Sequence, residues 1–283
     1  MAEATASFSR EKLLEIARTL PPAPKILARL SQLIEDINVD LGQVADLIKR
    51  DGPLTARLMH ISSSVFHGTA RIGSIDEAVN RVGLSEVHRI VGLITSKRLA
   101  ENPLEFYGVS TELLHEHMLY TALASEALAE LSDMDPRNAY TGGLMRPLGI
   151  LILDRLASRM PALEPYDHAL HGSYINWEGR TFGVTNCDVA ALVFADWWFP
   201  QEIIDGVRDH YLLREEDLDN RFACLLNLAG RLSAIAGFDL PGERQHWELS
   251  PRKLAAAGIS EAQVEEAAED ANQRFARLRT SLR

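Results

Sequence analysis

Several classes of protein are excluded by what this sequence lacks. Only two of its 283 residues are cysteine, Cys187 and Cys224, so a disulfide scaffold is excluded and a reducing compartment is indicated. No apolar run is long enough to cross a bilayer, and the amino-terminal residues lack a basic segment followed by an apolar one. These absences predict a cytoplasmic protein without a membrane span or a secretion signal.

Positive charge is also scarce. Lys and Arg number 29 against 40 Asp and Glu, which leaves a net charge of −11 at pH 7. Proteins that bind nucleic acids or anionic membranes neutralise phosphate groups with clustered Lys and Arg. The charge balance therefore argues against both kinds of partner. Hydrophobic residues make up 46% of the chain, which is ample material for a core.

Alternating apolar patterns typical of β-strands are almost absent, whereas nearly every segment has apolar residues at helical spacing. Ser74 and Glu77 form a capping-box pattern, in which each side chain accepts from the backbone of the other. The helix that they open is predicted to end at Gly83. The sequence therefore predicts an all-α fold built as a multi-helix bundle.

The helical pattern is interrupted at residues 102–109, which contain Pro103 and Gly108. Residues 1–106 are predicted to form an N-terminal subdomain of five or six short helices. Residues 107–283 are predicted to form a second helical subdomain. Its helices are expected at about 111–132, 136–158, 186–197, 200–212, 214–237 and 260–281.

Irregular structure is predicted at residues 159–184 and 238–250, where proline and glycine recur. Pro147 lies inside the helical segment 136–158. Proline in a helix interior costs about 3 kcal/mol, so the helix is predicted to break at Pro147 or to begin there. The last helix begins acidic and ends basic, which suits the helix dipole, and it is predicted to be solvated.

A series of motifs, none of them specific alone, resembles a known family in order and spacing. The motifs lie at residues 20–24, 51–68, 72–83, 117–122, 143–149, 182–191, 198–200 and 207–211. Together they resemble the HDOD family, the HD-related output domain of bacterial signalling proteins, over about residues 20–212. The resemblance implies an HD-domain-like bundle with an N-terminal helical subdomain, followed here by a C-terminal helical extension.

One motif bears directly on chemistry. Gly143-Leu-Met-Arg-Pro-Leu-Gly149 resembles the Gly-Leu-Leu-His-Asp-Ile-Gly segment of HD-superfamily phosphohydrolases, whose His-Asp pair binds the metal. Here Arg146 and Pro147 stand at those two positions. A guanidinium has no lone pair to offer a metal, and a proline side chain has no donor atom. We therefore assign no catalytic residue, no metal ligand and no cofactor, and we expect that the protein is not an enzyme.

Other positions of the implied metal site depart from the family in the same direction. His117 and His210 match family histidines, whereas Asn186 and Tyr211 stand where histidine is common. We predict that a residual pocket is lined by His117, Arg146, Asn186 and His210. The sequence shows no carboxylate that would complete a metal site.

Arg146 itself has two interpretations. In the first its role is structural, and it either pairs with a carboxylate such as Asp154, two turns along the helix, or lies at the surface. In the second it binds an anion where the metal and phosphate would lie in relatives. We expect the first, because arginine is usually paired or solvated.

Two functional hypotheses follow. The first is a non-catalytic regulatory module of signal transduction, which binds a signalling protein or a small anionic ligand. Because the sequence contains no kinase or receiver segment, this hypothesis expects its signal to arrive from a partner protein. The alternative is a metal-dependent phosphohydrolase of nucleotides or cyclic dinucleotides, with a site built from His117, Asp188, Asp209 and His210. The sequence leaves the oligomeric state open.

Overall fold

The computed structural model describes residues 8–36, 38–65 and 73–281. Secondary structure in these residues is helical, and the β-type pairing found among them is one isolated bridge between Leu104 and Val109. The predicted all-α fold is confirmed. Two family-like positions, Gly68 and Ile72, lie outside the described residues. None of the helices in the described ranges is long and apolar enough to cross a membrane.

Short helices make up the first hundred residues. They are α1 (Arg10–Ala17), α2 (Ala23–Ile34), α3 (Leu41–Lys49), α4 (Gly52–Val65), α5 (Ile75–Val82) and α6 (Leu84–Leu99). Helix α2 packs against α6, and both contact α8 (Pro136–Met145) of the second half. Helix α1 packs instead against α9 (Leu148–Ala157) and α12 (Asn186–Asp196). The subdomain boundary between residues 106 and 107 stays a prediction.

The capping of α5 agrees only partly with the predicted capping box. Ser74 Oγ accepts a hydrogen bond from the Glu77 backbone N–H at 3.1 Å, as expected. The Glu77 carboxylate, however, accepts from the Gly73 N–H at 2.7 Å rather than from Ser74. The helix ends before Gly83, whose φ of +83° suits a residue without a Cβ.

Helices of very different length, from 4 to 21 residues, follow in the second half. Besides α8, α9 and α12 they are α7 (Thr111–Glu130), α10 (His168–His171), α11 (Tyr174–Thr181), α13 (Gln201–Asp209), α14 (Arg221–Ile235), α15 (Pro251–Ala257) and α16 (Glu261–Ser281). Helix α7 is central, because α8, α14 and α16 all pack around it. Fourteen of its residues are buried, which explains why its apolar residues are spread over most of its circumference.

The break at Pro147 is confirmed, since α8 ends at Met145 and Pro147 is the N-cap of α9. Three other predictions were wrong. Residues 159–184 contain α11, which Ser173 caps by accepting from the Asn176 N–H at 3.1 Å. Helix α15 was not predicted, and α14 begins only at Arg221, after a 3₁₀ helix.

The last helix is not simply solvated. Val264, Ala267, Ala271 and Phe275 are buried, and α16 packs against α7. These four residues are spaced three or four apart and therefore form one narrow stripe on the helix. The many charged residues of α16 obscure that stripe in the sequence.

Candidate functional site

The segment 143–149 is held between two helices by close backbone contacts. A Cβ on Gly143 would lie 2.6 Å from the Thr121 carbonyl oxygen of α7, and one on Gly149 would lie 1.9 Å from the Asn186 carbonyl oxygen of α12. Both distances are too short for any side chain. The two glycines therefore allow a helix approach that fixes the position of Arg146, at the turn between α8 and α9.

Arg146 is the largest fully buried side chain among the described residues, with 1% of its surface exposed. Its guanidinium makes two parallel hydrogen bonds to Glu243, from Nη1 to Oε1 at 2.8 Å and from Nη2 to Oε2 at 2.9 Å. Glu243 is fully buried as well. Bidentate arginine–carboxylate ion pairs are among the strongest charge-assisted hydrogen bonds in proteins.

Glu243 corrects the predicted partner of Arg146. Asp154 was expected to pair with Arg146, but its carboxylate accepts from the Phe106 N–H at 2.9 Å. Because the chain turns at Pro147, Arg146 and Asp154 do not share one continuous helix. Glu243 lies instead in the irregular segment 238–250, far along the chain, and it pairs with Arg146.

Two imidazoles complete the surroundings of the guanidinium. His117 Nδ1 donates to the Phe238 carbonyl at 2.7 Å, and His210 Nδ1 donates to the Val207 carbonyl at 2.7 Å. Since a carbonyl can only accept, each Nδ1 carries the proton and each Nε2 offers a lone pair. The Nε2 of His210 lies 3.1 Å from Arg146 Nη1, and that of His117 contacts Nη2.

The protonation states follow from burial and from the guanidinium charge. Burial, reinforced by Arg146, lowers the pKa of His117 to about 4 and that of His210 to about 3. Burial alone would raise the pKa of Glu243, but the charge of Arg146 outweighs it and holds that pKa at about 2. At neutral pH the centre therefore contains one cation, one anion and two neutral imidazoles.

Aromatic side chains close the centre. The Tyr211 hydroxyl donates a hydrogen bond to Glu243 Oε1 at 2.5 Å. Tyr211 stands where the family commonly has histidine, and in this structure its hydroxyl binds the carboxylate that pairs with Arg146. The guanidinium carbon of Arg146 lies 5.2 Å from the centre of the Trp247 ring, within cation–π range. Tyr211, Glu243 and Trp247 thus form a closed wall around the arginine.

Asn186 belongs to a neighbouring network. Its side-chain amide donates to Glu178 at 2.9 and 3.0 Å, and Tyr107 donates to the same carboxylate at 2.8 Å. Burial raises the pKa of Glu178 to about 7. Of the four residues predicted to line a residual pocket, the structure brings His117, Arg146 and His210 into direct contact. It places Asn186 beside them but bonded elsewhere.

The two aspartates of the alternative site lie away from this centre. Asp188 is exposed and caps α12 by accepting from Thr185. Asp209 binds Arg208 through both carboxylate oxygens and accepts from Asn220. Within residues 8–36, 38–65 and 73–281, no group of three or more His, Cys, Asp or Glu side chains is arranged to hold a metal. The residues present do not fit the metal that the resemblance implies.

The sequence reasoning missed Glu243, Tyr107 and Glu178. Glu243 is an isolated acid in an irregular segment, so neither spacing nor helical periodicity marks it. Glu178 carried only a weak signal, because it lies on a short helix that was predicted as irregular.

The fold and this centre define a helical HD-like domain in which a buried ion pair lies where the sequence resemblance implies a metal site. The HDOD domain family matches residues 20–213 of the chain. Because this match covers well over half of the sequence, the chain belongs to the HDOD family. No curated protein matches the chain.

Solved structures show the same fold at low sequence identity. A provisionally assigned signal transduction protein from Marinobacter aquaeolei is 20% identical with a TM-score of 0.67, and the match covers 94% of this chain but 63% of that one. An HDOD domain protein of unknown function from Geobacter sulfurreducens is 19% identical with a TM-score of 0.67, covering 96% of both chains. A provisionally assigned phosphohydrolase from Shewanella amazonensis is 20% identical with a TM-score of 0.57, covering 93% of this chain and 96% of that one.

Proposed function

We propose that the protein is a non-catalytic regulatory module of signal transduction that acts in the cytoplasm by binding a signalling protein. One observation carries the non-catalytic part. The guanidinium of Arg146 lies between two imidazole Nε2 atoms and a carboxylate, where the family resemblance expects a metal ion. An organic cation there satisfies the same lone pairs and the same negative charge.

Hydrolysis assisted by a metal needs a coordination position open to water and substrate. Arginine cannot create such a position, because it stays protonated and has no lone pair. His117, Arg146, His210 and Glu243 are each at most 1% exposed, so this centre has no access for a substrate. Its role is to hold the segment 238–250 against the bundle.

The proposed signalling role rests on membership of the HDOD family, the HD-related output domain of bacterial signalling proteins. Family membership alone gives a fold rather than an activity. The likeness to the Shewanella phosphohydrolase likewise gives a fold rather than an activity. The alternative function, a metal-dependent phosphohydrolase, rests on that likeness.

Metal content and turnover separate these two functions. The full chain is purified without chelator, and its transition metals are measured by mass spectrometry. The same sample is then assayed on bis(4-nitrophenyl) phosphate, with and without added Mn²⁺. We expect less than one metal per ten chains, and no turnover above that of His117→Gln measured in parallel.

A stoichiometric metal together with turnover that His117→Gln abolishes would overturn the proposal, because His117 is a ligand of the alternative metal site. Turnover that persists equally in His117→Gln would show that the activity does not come from that site. Complete absence of metal and turnover supports the non-catalytic function.

A further inference from the structure

A cavity lies on the opposite side of α7 from the Arg146 centre. None of the residues that line this cavity belongs to that centre. It opens between α4, α6, α7 and the last turns of α16, and its volume is about 510 Å³. Sites for small organic molecules have volumes of roughly 300–1,000 Å³. The cavity is thus large enough for a small organic ligand.

One side of the cavity is apolar. Its wall is formed by Ile61, Leu93, Ile94, Leu119, Phe275 and Leu278. Leu93, Ile94, Leu119 and Phe275 are buried within the fold, so the wall is rigidly supported from behind. A ligand that fills the cavity would remove apolar surface of its own and of this wall from water, which favours binding.

The other side is positively charged, in a protein whose net charge is −11. Arg98 pairs with Asp51 at 2.7 Å, and Arg279 pairs with Glu116 at 3.1 Å. Those two cations are therefore neutralised within the protein.

Two further cations on the rim, Arg57 and Lys97, make no ion pair within 4.0 Å with any described residue. Glu101 also lines the cavity, and its carboxylate makes no ion pair with any described residue. Two unpaired cations against one unpaired carboxylate leave an excess of one positive charge. That excess matches a ligand with a single negative charge.

We propose that this cavity binds an amphipathic organic monoanion. Its apolar body lies against Leu93, Leu119 and Phe275, and its anionic head accepts hydrogen bonds from Arg57 and Lys97. A medium-chain carboxylate has this chemistry. The site lies outside the pocket that the sequence predicts around Arg146, and it does not depend on whether the Arg146 centre is catalytic.

Isothermal titration calorimetry of the full chain with decanoate, below its micelle concentration, tests the proposal. Decyltrimethylammonium, which has the same chain length and the opposite charge, is the matched ligand control. We expect decanoate to bind one-to-one with saturation, and the cationic probe to bind at least tenfold more weakly. Absence of saturable decanoate binding, or equal binding of the two probes, would overturn the proposal.

Variants locate the binding. Lys97→Met and Arg57→Met each remove one exposed rim charge, and each should weaken decanoate binding about tenfold. Leu278→Gln makes the apolar wall polar and should weaken it by a similar factor. Arg10→Met removes one exposed charge on α1, outside the cavity, and should leave the affinity unchanged. Affinity that is the same in all four variants would show that decanoate binds elsewhere, which contradicts the assigned site.

Discussion

Two of the buried polar clusters, one around Arg146 and one around His88, differ in charge. Around Arg146 a cation and a carboxylate are paired between two imidazoles. Around His88 the partners are neutral hydroxyls, because Nε2 lies 3.0 Å from Thr141 Oγ1 and 3.2 Å from Ser31 Oγ. The first cluster connects the turn after α8 to the segment 238–250, and the second connects α2, α6 and α8.

The difference shows what each cluster can tolerate. A hydroxyl network loses one hydrogen bond at a time, at about 0.5–1.5 kcal/mol each. A buried ion pair behaves differently, because removal of one partner leaves an uncompensated charge in a low-dielectric interior, at about 3–5 kcal/mol. The charged cluster therefore makes the fold depend on a residue outside the family-matched region 20–213.

The largest effect is expected from Glu243→Gln. The amide preserves the shape of the side chain but removes its charge, so the buried guanidinium of Arg146 loses its counter-ion. We expect the free energy of unfolding to fall by about 3–5 kcal/mol. Urea denaturation at pH 7, followed by circular dichroism, measures it.

The double variant Arg146→Met with Glu243→Gln is the control. Because it removes both charges, we expect it to be less destabilised than Glu243→Gln alone. A double variant whose loss equals the sum of the two single losses would show that the two residues are not energetically coupled. A loss below about 1 kcal/mol for Glu243→Gln would contradict the importance of the pair.

Acidification should destabilise both clusters, since burial also lowers the pKa of His117 to about 4 and that of His210 to about 3. The ordinary pKa of histidine is 6.5, whereas burial lowers the pKa of His88 to about 4. The facing charges oppose one another, since Arg137 and Arg89 lower this pKa and Asp135 raises it. Between the two values the unfolded chain binds more protons than the folded one, so stability falls as the pH falls. At pH 5 the loss is about 2 kcal/mol for one such histidine.

His88→Gln tests this contribution, because glutamine can keep a hydrogen bond in place of Nε2 but does not titrate. We expect the stability lost between pH 7 and pH 5 to be about 2 kcal/mol smaller than in the parent protein. The exposed His60→Gln should show the parent behaviour. Glu243, whose pKa is lowered from 4.5 to about 2, contributes its own loss only below this window. An unchanged pH dependence in His88→Gln would mean that His88 has the same pKa in the folded and the unfolded chain, which contradicts the lowered pKa.

Features that depend on local chemistry could be predicted from the sequence. The cap at Ser74 follows from a hydroxyl placed three residues before a backbone N–H, and the break at Pro147 follows from the missing N–H of proline. Neither needs any knowledge of the rest of the chain. The all-α fold class and the positions of most helices could be predicted for the same reason, because they follow from the local spacing of apolar residues.

The composition of the Arg146 centre could not be predicted in the same way. His117 and Arg146 were found through the family resemblance, but Glu243 reaches Arg146 only because an irregular segment folds back over α7 and α14. An isolated glutamate in such a segment looks like any solvated acid. For the same reason the buried stripe of α16 was missed, since its four apolar positions become significant only when α7 is placed against them.

The smallest effect compares two buried threonines. Thr141→Val removes the hydroxyl that bonds to Ser31 and His88, and should lower the free energy of unfolding by about 1 kcal/mol. Thr121 on α7 is equally buried, but its hydroxyl has no hydrogen-bond partner among the residues that the structure describes. Thr121→Val therefore removes only an unsatisfied polar group, and stability should stay the same or rise. Urea denaturation of both variants measures the difference. Equal losses would show that the cost lies in the altered shape of the side chain, and that the hydroxyl network around His88 adds little stability.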